Sequence, residues 1–169
     1  TLQADELNRL GVASLVLGGW RSSGTAGEQL TVTAQTVELS HGATLSGHEL
    51  ILTARNAVTL AADTALVSTG SASGSVEPLT LTHTGKGTDD GVLVRVSDLP
   101  QRAVIRPQAP GKQGILTVAP GAKLAAEGSI LLDATRDTRY QGHIELPHGA
   151  LALAARTITI GQATADTPG

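Results

Sequence analysis

One pattern recurs along this chain and limits what it can fold into. Leu30, Val32 and Ala34 occupy alternate positions, a short corner follows, and then comes the apolar pair Val37 and Leu39. Leu50, Leu52 and Ala54 with Val58 and Leu60 form a second copy, and Leu151, Leu153 and Ala155 with Ile158 and Ile160 repeat the first without a gap. Ile130, Leu132 and Ala134 open a fourth. A third short segment comes after each corner, as Ala43-Thr44-Leu45, Ala65-Leu66-Val67 or Ala122-Lys123-Leu124. The step from Leu30 to Leu50 is 20 residues and that from Val37 to Val58 is 21, the extra residue falling in the corner Arg55-Asn56-Ala57. A period near 20 residues is the mark of a solenoid, whose repeats bury their apolar faces only against their neighbours. Three short strands and three corners per repeat make one coil of a parallel β-helix. Roughly seven coils spaced about 4.8 Å apart would give a rod about 30 Å long.

The segments read as strands because their alternation has period two, at Leu30 to Ala34, Leu79 to Thr82 and Val92 to Val96. Twenty Gly, seven Pro and abundant Thr oppose helix throughout. With one Trp, one Tyr and no Phe, the core must be built from Leu, Val, Ile and Ala, which excludes a sandwich anchored on large rings. Small Ala beside Leu and Val suits a narrow interior. The expected fold class is all-β, a parallel β-helix with no significant helix, and residues 1–169 are expected to form a single segment. Three stretches break the period and read as insertions: 70–78, rich in Gly and Ser; 84–91, polar; and 97–114, where Pro100, Pro107 and Pro110 flank one short strand at Ala103-Val104-Ile105.

A net charge of −3 supplies no basic field for nucleic acid or an anionic membrane. Without cysteine, disulfides and thiolate metal sites are impossible. The longest apolar stretch, Leu10 to Trp20, is too short to span a bilayer and follows the acidic pair Asp5 and Glu6. The chain starts at Thr1 and carries no leader-type n-region, so the expectation is a piece of a longer protein.

Leu15-Val16-Leu17-Gly18-Gly19, the segment Gly91 to Ser97, and the long run from Leu116 to Ala134, together with the repeats, resemble filamentous-haemagglutinin-type exoproteins, the large bacterial adhesins exported by two-partner secretion. The resemblance implies a right-handed parallel β-helix shaft from the interior of a secreted or surface-attached virulence protein. It also implies an outer-membrane transporter partner and a host-surface or glycan receptor engaged by the full-length protein. The family's amino-terminal secretion domain, with its Asn-Pro-Asn-Leu-like motif, has no counterpart, since the only asparagines are Asn8 and Asn56.

Candidate sites are few. His41-Gly42-Ala43 and His148-Gly149-Ala150 are identical, but they lie 107 residues apart, about five coils or on the order of 24 Å, whereas ligands of one Zn²⁺ sit about 2 Å from it. They read as corner residues. His48 and His143 are expected just before strands, and His83 at the end of one. Gly85-Lys86-Gly87-Thr88 lacks the phosphate-loop glycine, because position 80 is Thr. Asp89 and Asp90 could lend oxygens to Ca²⁺ but read as a solvated loop tip. The stretch Asp133 to Tyr140 is the densest charged cluster, and carboxylates beside Arg suit polysaccharide cleavage. No aromatic row accompanies it, and the alternating charges read rather as a self-neutralising corner. Trp20 reads as a cap over the open end of the first coil.

The expectation is a monomeric, non-catalytic shaft with no cofactor and no metal. Any recognition would involve Lys86, Asp89, Asp90, Asp133, Arg136, Asp137, Arg139 and Tyr140. The competing reading is a polysaccharide-binding or polysaccharide-cleaving β-helix.

Overall fold

The computed structural model describes residues 3–10, 14–24, 27–70, 77–83, 91–106 and 113–161. The chain is all-β. The only helix among the described residues is α1 (Ala4–Asn8). The strands follow as β1 (Ser14–Leu17), β2 (Gly19–Gly24), β3 (Gly27–Val32), β4 (Thr36–Leu39), β5 (Thr44–Gly47), β6 (Glu49–Ala54), β7 (Ala57–Leu60), β8 (Ala65–Ser68) and β9 (Leu79–His83). They continue as β10 (Val92–Ser97), β11 (Val104–Ile105), β12 (Ile115–Val118), β13 (Lys123–Ala125), β14 (Ser129–Ala134), β15 (Asp137–Tyr140), β16 (His143–Glu145), β17 (Ala150–Ala154) and β18 (Thr157–Ile160).

These strands form four sheets. Sheet A runs β1-β6-β10-β14-β17, sheet B runs β2-β3-β9-β11, sheet C runs β4-β7-β12-β15-β18, and sheet D runs β5-β8-β13-β16. Every pairing in sheets C and D is parallel. In sheet C, Thr36 pairs with Ala57, Ala57 with Ile115, Ile115 with Asp137 and Asp137 with Thr157. The steps are 21, 58, 22 and 20 residues, so one layer-to-layer step is long and the rest keep the sequence period. Alternate residues from the three sheets meet in one core, among them Leu50, Leu52, Val94 and Ile130 from sheet A, Val58, Leu60 and Leu116 from sheet C, and Leu66 and Leu124 from sheet D.

Three expectations need correction. First, β3 does not align with β6. The partner of β6 on that side is β1, with Leu15 opposite Leu50, and β2 and β3 are an antiparallel hairpin inserted after it. Leu30 and Val32 therefore leave the shared core and join a second cluster with Ile51, Leu79, Leu81, Leu93 and Leu131. Second, β10 runs antiparallel to both β6 and β14. β6, β14 and β17 each follow a strand of sheet D, whereas β10 follows β9 of sheet B, so the chain enters sheet A there from a different side. Third, among the described residues sheets A and C each hold five strands, fewer layers than the seven coils that an uninterrupted period predicts, because the detours through sheet B consume chain.

Sheet B is what those detours build. Its inner face lies on the outer face of sheet A, so β6, β10 and β14 are buried on both sides along their whole length. The short strand expected at 103–105 is β11, parallel to β9. At the other end of the fold, α1 packs Ala4 and Leu7 against the main core. The cap over the first layer is thus this helix, while Trp20 stands 54% exposed on β2.

Candidate functional site

The expected recognition residues are dispersed. Lys86, Asp89 and Asp90 lie outside the described residues, as do 71–76 and 107–112 of the insertions. Asp133, on the outer face of β14, is buried and accepts a hydrogen bond from Nη2 of Arg106 at 2.6 Å. Strand alternation then splits the stretch that follows: Thr138 and Tyr140 face the core while Arg139 is exposed. Arg136 is exposed, with its Nε 3.5 Å from Asp137. The Tyr140 hydroxyl has no hydrogen-bond partner among the described residues, and burial pushes its pKa well up. Asp133 and Tyr140 therefore belong to packed interiors and offer no shared surface with Arg136, Asp137 and Arg139.

The densest polar assembly lies elsewhere, between sheets A and B. Ser14, Glu49, Ser97 and Ser129 sit in one register row across sheet A. Arg95, two residues before Ser97 on β10 and on the same face, reaches over that row. Its Nε donates to Glu49 Oε2 at 2.7 Å, its Nη1 to Ser129 Oγ at 2.8 Å and to the Pro100 carbonyl at 3.2 Å, and its Nη2 to Ser97 Oγ at 3.2 Å. Glu49 Oε1 accepts from Ser14 Oγ at 2.8 Å and from Arg21 Nη2 at 3.1 Å. Arg21 also pairs with Glu28 at 2.8 Å. Arg102 bonds Glu28 as well, approaches Glu49 at 3.5 Å and donates from Nε to the Glu77 carbonyl at 2.8 Å.

Three guanidiniums and two carboxylates thus join β1, β6, β10 and β14 of sheet A to β2 and β3 of sheet B. Burial pushes the Glu49 carboxyl up, but Arg95 beside it, helped by Ser14 and Arg102, outweighs that effect and holds the group below its ordinary value. Every nitrogen of the Arg95 guanidinium is engaged, so the cluster fastens two layers. The period-two reading did not find it, although Arg95 inside the apolar run Val92 to Val96 was a visible signal: a charge in such a run must be paired if both faces are covered.

The histidines sit apart. His41 pairs with Asp63 at 3.0 Å and His143 with Glu145 at 3.5 Å, all exposed. His48 Nδ1 lies 3.1 Å from Oδ2 of Asp98, whose side chain has no exposure. His41 and His148 both fall in corners as expected, while His143 opens β16 where it was expected to precede a strand. Among the described residues no three His, Asp or Glu side chains are grouped to hold a metal ion. Comparison of the chain with protein-family models, with curated proteins and with solved structures gives no significant match.

Proposed function

We propose that this chain is a shaft segment, a right-handed parallel β-helix from a large bacterial secreted or surface-attached exoprotein of the filamentous-haemagglutinin type. Its work is to supply length and stiffness. The observation that carries this reading is the set of parallel ladders in sheets C and D, in which all layers but one pair lie one sequence period apart and are paired in register. In such a stack the hydrogen bonds run from layer to layer, so pulling along the stack loads many of them together. Of the insertions, which the sequence suggests as projecting loops, 97–114 carries β11, one strand of the sheet B that thickens one side of the shaft. Receptor and transporter contacts belong to the full-length protein.

Electron microscopy of the full-length parent tests the reading. A continuous unbranched rod into which this segment maps supports it, and a compact particle overturns it. An assay for reducing or unsaturated ends released from a panel of acidic polysaccharides tests the enzyme alternative on the same material. Turnover by the parent that disappears in Asp133→Ala or Asp137→Ala would replace the shaft with an enzyme.

A further inference from the structure

Sheet B has a second face, turned to solvent, and its make-up differs from the rest of the molecule. The inward positions of its strands are apolar or paired charges: Arg21 on β2, Glu28, Leu30 and Val32 on β3, Leu79 and Leu81 on β9, and Val104 on β11. Alternation places the outward positions in two register rows. One row is Trp20, Thr31 and Thr82, and the other contains Gln29, Thr80 and Ile105. No charged residue is among them. The Thr31 and Thr82 hydroxyls lie 3.3 Å apart, beside an indole that is 54% exposed, and Ile105 at the far side is 46% exposed. With strands about 4.8 Å apart, the four-stranded face is about 14 Å across.

We propose that this face binds a neutral, extended polysaccharide. A sugar ring carries an apolar C–H face and a rim of hydroxyls, and the face presents a partner for each: the indole of Trp20 for the ring, and the Thr hydroxyls and Gln29 amide for the rim. The charge pattern selects a neutral glycan. All ionisable groups of sheet B named above point inward, so the outward positions named here hold no charge to attract or to neutralise a uronate, a sulfate or a phosphate. A protein partner would call for large side chains clustered at the centre of the patch, whereas here the two large apolar groups stand at opposite edges with hydroxyls between them. The platform is also held rigid from beneath. Arg21, the neighbour of Trp20 in β2, is fixed by Glu28 and Glu49, so little ordering remains to be done on binding. This site is independent of the shaft reading, which stands or falls on the microscopy.

Trp20 is the sole tryptophan, so its emission reports directly on the face. The probes are cellohexaose, xylohexaose, mannohexaose and chitohexaose, with polygalacturonate and heparin as charged counterparts. At least one neutral hexaose should produce a saturable blue shift, and the matching polymer should retard the protein in affinity electrophoresis. Trp20→Ala should remove the retardation, and Thr82→Val should weaken binding about tenfold, roughly the loss of one well-made polar contact, both with unchanged melting temperatures. The proposal is overturned if none of the neutral hexaoses shifts the emission at millimolar concentration, if only the charged polymers bind, or if Trp20→Ala is retarded as the parent is. Self-association that Trp20→Ala abolishes would assign the face to a second copy of the chain and overturn it as well.

Discussion

Nε of Arg95 donates to Oε2 of Glu49 at 2.7 Å, and neither side chain is more than 4% exposed. The two residues come from adjacent antiparallel strands of sheet A, Arg95 opposite Ile51 and Glu49 opposite Ser97, and their contact anchors the ionic cluster beneath sheet B. Removing one partner leaves the other charged and desolvated, so Arg95→Met or Glu49→Leu should each cost about 3–5 kcal/mol. The double variant should recover part of that loss. Urea midpoints of the four proteins check the cycle, and an additive double variant would show that the pair is not coupled.

The same pair sets an acid limit. Because the folded-state pKa of Glu49 lies below its ordinary value of 4.5, its stabilising contribution is complete above that value and is lost as pH falls through the folded pKa. Stability should therefore decline on acidification from about pH 4.5 downward, and Glu49→Gln should show a shallower decline over that range. Denaturation at stepped pH measures both slopes.

Strict alternation would make Ile51 an outward, tolerant position between Leu50 and Leu52. In the structure Ile51 is fully buried against sheet B and Leu52 against the main core. Ile51→Asp and Leu52→Asp should therefore be comparably damaging, each burying an unpaired carboxylate at several kcal/mol against a total stability of about 5–15 kcal/mol. A melting temperature for Ile51→Asp close to that of the parent would mean that sheet B does not cover sheet A.

Tyr140 is buried, and its hydroxyl has no partner among the described residues. Tyr140→Phe keeps the ring and removes the desolvated oxygen, so it should be neutral or stabilising by about 1 kcal/mol. The folded-state pKa is raised from an ordinary 10.0. The parent should accordingly lose stability as pH rises above that value, when only the unfolded chain ionises. Thermal melts on either side of pH 10 should show this loss in the parent and not in the variant.

Asn8 closes the outer edge of β5: its Nδ2 donates to the Thr44 carbonyl at 2.9 Å, and its Oδ1 accepts from the Ser46 amide at 2.9 Å. The side-chain amide takes the place of a neighbouring strand at an edge that would otherwise invite pairing. Asn8→Ala should cost about 1–2 kcal/mol and promote self-association, which light scattering across a concentration series detects.

The corner from β1 of sheet A to β2 of sheet B rests on Gly18, at φ +92, where an added Cβ would strike the Thr53 carbonyl. Gly18→Ala should cost upwards of about 1–2 kcal/mol from backbone conformation alone, read as a lowered melting temperature.

Much of this was legible in the sequence. The period near 20 residues located β4 to β8, β13, β14, β17 and β18 because each layer repeats the same alternation and the same turn-forming corners, whereas the stretch Asp133 to Tyr140, read as a corner, spans the end of β14 and the whole of β15. Corner positions 42, 63 and 121 all carry positive φ, with Gly at two of them and Asp63 at the third, which local turn chemistry favours. What misled the period was local identity: Leu30-Thr31-Val32 has the same alternation as a shaft strand, and alternation cannot say which of two sheets a half-buried strand joins. The continuous runs Leu50-Ile51-Leu52, Val92-Leu93-Val94 and Ile130-Leu131-Leu132 carried the missing signal, since unbroken apolar runs belong to strands covered on both faces.

By itself, then, the sequence determined the all-β class, the repeating strand and corner pattern and the aliphatic core, because period, turn residues and side-chain volume act within a few neighbouring positions. Only the tertiary structure decided that sheet B folds back over sheet A, that β10 runs against its neighbours, and that Glu28, Glu49, Arg21, Arg95 and Arg102 meet. The closing contact of that cluster, Arg102 with Glu28, joins residues 74 apart in the chain. No local pattern encodes such a meeting. It follows from the burial of two apolar faces against each other, which takes the charges at their margin out of water so that they must pair.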